Sequence, residues 1–155
     1  MIRILIFQVI FLTCVWYAWK AGGQPERAAM LAQAVAYSIT LSTGYLRVAG
    51  GFTNIVEGWL IADILLLAAL IWLALQANRL WTLLLAGLHL AAIFVHLAKA
   101  TYPQFPPFGY ALFLQFWAYP MLLTTAIGIR RHQIRLRRYG PYPDWKRPRK
   151  DQPAA

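Results

Sequence analysis

Asp63, His89 and His96 are the residues of this chain best placed to do chemistry, because each interrupts a stretch otherwise apolar enough to lie in a bilayer. An ionisable group costs roughly 2.5–3.5 kcal/mol at the centre of an inserted helix, so such groups serve a partner, a proton path or an ion site. Glu57 and Lys99 stand nearer the ends of the same stretches. The turn around Ala77–Arg79 makes these stretches a hairpin, and antiparallel helices hold residues equally far from their turn at equal depth. Asp63 and His96 are nearly equidistant from that turn, as are Glu57 and Lys99. Two carboxylates are therefore expected level with two basic groups, while helix rotation decides whether they touch. Asp63, His89 and His96 then read either as a structural pin, each group offsetting the desolvation of another, or as a proton relay or cation site. Glu57 and Lys99 read as an interfacial pair of small energetic value.

His89 and His96 lie on one helix face, roughly 10.5 Å apart along the axis. One haem takes its axial ligands from opposite sides, so one helix cannot supply both. The remaining histidine, His132, lies beyond the apolar stretches. The spacing is also too wide for a single zinc ion, and Cys14 supplies no nearby third ligand. No cofactor and no metal are expected. The chain has no phosphate loop, nucleophile elbow or metalloprotease helix, so no catalytic residue is assigned and a non-enzymatic role is expected.

The elements that position these residues follow from composition. Of 155 residues, 60% are hydrophobic and only 13% charged, against about one-quarter charged in a soluble domain. Disorder, a disulfide scaffold and an ordinary water-soluble enzyme domain are excluded. A bilayer core needs about 20 apolar residues in helix, and five segments approach that: Ile4–Trp19, Ala28–Leu46, Ile55–Leu75, Leu80–Ala98 and Phe108–Ile129. Ala21-Gly-Gly-Gln-Pro25, Ala49-Gly-Gly51, Gln76–Arg79 and the proline-rich run Tyr102–Gly109 separate them. The first segment is expected to remain as an anchor, since bulky Trp16, Tyr17 and Trp19 occupy the region where a signal peptide is cut.

Ala28–Leu46 is the ambiguous segment, because Gln33, Ser38, Thr40, Ser42 and Thr43 raise its insertion cost. It either spans the membrane or lies along the surface. With five spans and a cytoplasmic C-terminus, Lys20, Arg27 and Arg79 fall inside, whereas Arg3, Arg47 and Lys99 fall outside. Four spans put Lys20 and Arg27 outside. The positive-inside tendency favours five.

Within the last segment, Pro120 removes one backbone hydrogen bond and predicts a kink, most simply a structural one. Trp16, Trp19, Trp59, Trp72, Trp81 and Tyr110 fall near span ends and read as interfacial belts. The net charge of +10 concentrates toward the C-terminus. Arg130, Arg131, Arg135, Arg137 and Arg138 are expected to stop transfer and to contact anionic lipid headgroups. The run after Gly140 reads as an irregular, loose tail, giving a transmembrane domain over 1–130 and a basic cytoplasmic tail over 131–155. It carries no nucleic-acid reading motif.

The stretches Gly23-Gln-Pro-Glu-Arg27, Val56-Glu-Gly-Trp59, Asp63, Gln76-Ala-Asn-Arg-Leu-Trp81, Ala86-Gly-Leu-His89, His96-Leu97 and Phe116-Trp-Ala-Tyr-Pro-Met121 together resemble a group of short, uncharacterised multi-spanning proteins of alphaproteobacteria. The resemblance covers most of residues 20–130. It implies a bacterial inner-membrane protein and carries over no catalytic residue.

The sequence thus predicts an all-α polytopic bundle of five spans, with four spans plus an interfacial helix as the alternative. The expected role is an accessory, assembly or interaction subunit, partnered by lipid and by another membrane protein or a second copy. The alternative is a small proton- or cation-linked carrier using Asp63, His89 and His96.

Overall fold

Among the described residues, apolar runs of this length, bounded by Gly and Pro, form five helices: α1 (Ile2–Ala21), α2 (Gln24–Leu46), α3 (Glu57–Gln76), α4 (Trp81–Thr101) and α5 (Pro107–Tyr139). They are seen in a computed structural model that describes residues 2–46 and 57–146, with backbone alone for 44–46. The expected turn at Ala49–Gly51, Arg47 and the residues from 147 onward lie outside the described residues. α1, α3, α4 and α5 are each long and apolar enough to cross a membrane. Leu5, Val9, Ile64, Leu65, Leu84, Phe94, Phe113 and Leu123 are exposed on their outer faces. An apolar surface of this extent suits hydrocarbon rather than water.

α2 is too polar to join those four by composition, but it packs lengthwise against α3. Its start lies beside the end of α3, where Glu26 faces Arg79. Its far part lies beside the start of α3, where Trp59 Nε1 donates to the Thr40 carbonyl. α2 therefore runs antiparallel to α3 over the same height, the arrangement that a five-span bundle requires. Its hydroxyls are accommodated locally: Ser38, Thr40, Ser42 and Thr43 each donate to a carbonyl one turn back. Gln33 donates to Thr125 Oγ1 on α5 at 3.1 Å, the interhelical bond that offsets its burial.

Two cores hold the bundle. One joins Ala29 and Ala36 of α2 to Leu66, Leu70 and Leu73 of α3, Trp81 and Leu85 of α4 and Met121 of α5. The other joins Phe7, Phe11, Cys14 and Ala18, which recur at helical spacing along α1, to Met30, Leu122 and Ile129. Gly128 lets α4 and α5 approach, since a Cβ there would stand 2.7 Å from the Trp81 ring. Pro106 and Pro107 start α5, where a missing N–H is harmless. Pro120 sits inside a helix that continues unbroken to Tyr139, and Gly140 ends it at φ 74°, a positive value that a residue without a Cβ adopts readily.

The described segment after Gly140 corrects the expectation of a loose tail. Trp145 forms a bridge with Ala77, Asn78 N donates to the Asp144 carbonyl at 3.1 Å, and Lys146 N donates to the Gln76 carbonyl at 2.8 Å. Residues up to Lys146 thus dock onto the α3–α4 turn. The aromatic belt needs a similar correction. Trp16, Trp19 and Trp72 are exposed, but Tyr110 and Trp81 are buried and Trp59 is half-buried. Each has internal neighbours that hydropathy does not reveal.

Candidate functional site

α3 and α4 bring Asp63 and His96 together at the depth their distance from the turn dictates. His96 Nε2 lies 2.9 Å from Asp63 Oδ2. The other ring nitrogen, Nδ1, lies 2.7 Å from the Tyr110 hydroxyl, which is fully buried at the start of α5. With Asp63 ionised, its carboxylate only accepts, so His96 Nε2–H donates to Asp63 and Tyr110 O–H donates to Nδ1. Tyr110, His96 and Asp63 thereby form one chain of hydrogen bonds across three helices.

His89 meets the same aspartate one level deeper. Its Nε2 lies 2.9 Å from the Asp63 carbonyl, which can only accept, and 3.9 Å from the carboxylate. Both histidines are buried, whereas the Asp63 side chain keeps 20% of its surface exposed. That exposure faces a cavity of about 340 Å³ among α1, α2, α3, α4 and α5. Asp63, His89, Gln33, Thr40 and Gln115 supply polar groups to it, Arg3 lines it as a cation, and Tyr37, Trp59 and Trp117 supply aromatic walls. His96 lies behind Asp63 and does not line the cavity. Among the described residues, no group of three His, Cys, Asp or Glu side chains is arranged to hold a metal ion.

Glu57 and Lys99 do not pair. Glu57 is exposed, and the Lys99 ammonium donates to the carbonyls of Pro103 (2.8 Å) and Phe105 (2.7 Å). The lysine is only 3% exposed because it reaches past the end of its own helix to carbonyls of the loop that follows, at the negative end of the helix dipole. Matching depth is not sufficient when local acceptors compete.

Tyr110 was not singled out as a site residue from the sequence, yet the depth rule finds it. His96 and Tyr110 flank the proline-rich turn at similar distances, so they are as level as Asp63 and His96 are.

A second polar cluster, at the opposite end of the bundle, has no counterpart in the sequence reading. Arg79 Nη2 donates to Asp144 Oδ1 at 2.6 Å, and Asp144 Oδ2 accepts from Gln24 N–H at the start of α2 at 3.1 Å. The Glu26 carboxylate is fully buried, with Arg79 Nε 3.5 Å away. The Tyr142 ring carries the guanidinium groups of Arg79 at 4.3 Å and Arg135 at 4.6 Å, and its hydroxyl meets His132 Nδ1 at 2.7 Å. The one available signal was aromatic Tyr142 and Trp145 in a segment otherwise composed like a solvated tail.

No family model, curated protein or solved structure matches the chain.

Proposed function

We propose that this chain is a small proton-linked carrier of organic cations in a bacterial inner membrane, with its C-terminal end in the cytoplasm. The observation that supports the reading is the Asp63 carboxylate, held by His96 and open to an intramembrane cavity. A carboxylate in such a place holds either a proton or a cation, and competition between the two couples their movement. Aromatic walls favour a cation with an apolar body, since ring faces attract positive charge. The cavity volume suits a small molecule. An accessory subunit without chemistry of its own, the role expected from small size and short connections, does not require a titratable group facing a cavity.

The orientation rests on charge. Lys20, Arg27, Arg79 and the arginines of α5 gather at one end of the bundle, while Arg3 and Lys99 are the described cations toward the other. The positive-inside tendency puts the richer end in the cytoplasm.

Proteoliposomes loaded with a pH-sensitive dye test the function. Adding tetraphenylphosphonium or another lipophilic organic cation should release protons through the wild-type protein, and Asp63→Asn should abolish that release while the variant stays monodisperse. Equal proton movement in Asp63→Asn and wild type would refute the carrier. Recovery of the protein in a fixed ratio with a larger complex, with no proton movement, would favour the accessory role.

A further inference from the structure

We infer that the basic end of the bundle carries a defined pocket for the phosphate of an anionic membrane phospholipid. A second cavity, about 630 Å³, lies between the α3–α4 turn, the extension of α5 beyond Gly128 and the docked C-terminal segment. Arg79, Arg131, Arg135, Arg138 and Lys146 line it, and no carboxylate among the described residues does. Arg79 is held by Asp144 and Glu26, but the other four have no carboxylate partner among the described residues.

Helical geometry sorts the arginines that the sequence presents as one run. Arg131, Arg135 and Arg138 recur at the spacing of a single helix face, whereas Arg130 and Arg137 fall on another and do not line the cavity. Like charges stacked on one face repel, and an anion seated between them relieves that repulsion. Arginine's planar fork suits phosphate oxygens in particular.

Two further observations mark the pocket as built for a lipid rather than a free ion. Leu80, Leu83 and Ile134 line it and are exposed, so its wall continues onto the apolar surface of the bundle. A headgroup in the pocket would leave its acyl chains along that surface. Trp81 also lines the cavity, is 8% exposed, and has an Nε1–H with no acceptor among the described residues. A phosphate or glycerol oxygen is a fitting acceptor. Basic pockets between membrane helices commonly take lipid headgroups in this way.

Native mass spectrometry of the full chain in mild detergent tests the assignment, with phosphatidylglycerol, phosphatidylcholine or inorganic phosphate added at equal concentration. The unaltered protein should retain phosphatidylglycerol in preference to phosphatidylcholine, and inorganic phosphate should not displace it. R131Q/R135Q should lower retention by at least about tenfold, while R130Q/R137Q, which removes equal charge from the other face, should change it less than about twofold. Equal loss in both pairs would mean diffuse attraction and overturn the pocket. Equal retention of the two lipids by the unaltered protein would do the same without any variant, and displacement by phosphate would assign a free-anion site instead.

Discussion

Asp63 Oδ2 stands 2.9 Å from His96 Nε2, although 33 residues separate them. The contact exists because a tight turn folds two apolar helices back on each other, and it leaves the carboxylate one histidine-bonded oxygen and an outlook onto a cavity. A buried imidazole fixed at both nitrogens, by Asp63 and by Tyr110, cannot rotate freely. That constraint gives the aspartate a fixed direction, as a binding group requires.

Tyr110→Phe should lower stability by about 1–3 kcal/mol, the usual cost of leaving a buried polar atom without its partner. The phenol is fully buried, so its loss leaves His96 Nδ1 with no donor in its place. Thermal unfolding in detergent measures it. A melting curve unchanged from wild type would show that His96 finds another donor.

Gly128→Ala should destabilise the α4–α5 contact by about 1–3 kcal/mol, the range for overpacking a filled core. The added Cβ would fall 2.7 Å from a ring that is itself buried. Replacing Trp81 by Leu in the same chain should relieve most of the penalty. If the double variant is no more stable than the additive sum, the close approach is not the cause.

Arg79→Met should cost about 3–5 kcal/mol, because it leaves the fully buried Glu26 carboxylate without a counter-charge. Glu26→Gln added to Arg79→Met should recover part of that loss. The single Arg79 variant should also release the C-terminal segment, read as faster tryptic cleavage after Arg138 and Lys146. Unchanged cleavage would mean that the backbone bonds to Gln76 and Asn78 suffice to hold the segment.

The docked segment should weaken in alkali. Burial pushes the Tyr142 phenol above its ordinary value of 10.0; the nearby Arg79 works against this, Glu26 reinforces it, Arg135 opposes it and Asp144 adds to it. A raised value means that docking favours the neutral phenol. Its contribution is complete below 10.0 and is lost as the pH climbs through the higher docked value. The phenolate absorbance missing from Tyr142→Phe should therefore titrate above 10.0, and Asp144→Asn, which undocks the segment, should bring it down. Titration at or below 10.0 in the wild type would contradict the burial argument.

The sequence by itself determined that this chain is helical and apolar, where its helices break, and that Asp63 and His96 share a depth. These follow from length, hydropathy and backbone stereochemistry, which act locally along the chain. It also marked α2 as the ambiguous element without resolving it, because a polar helix is acceptable in a bundle only if neighbours accept its side chains, as Thr125 accepts Gln33.

Tertiary structure alone decided the rest. Rotation about the helix axes turned equal depth into contact for Asp63 and His96, and away from it for Glu57 and Lys99, because Lys99 had carbonyls closer at hand. It buried Tyr110 and Trp81, which hydropathy assigns equally well to an interface. It also drew Asp144 to Arg79 and Gln24, joining residues far apart in sequence. A one-dimensional pattern fixes how deep a side chain lies and how often it recurs. Which neighbour it meets depends on azimuth, and azimuth is set only when all five helices pack at once.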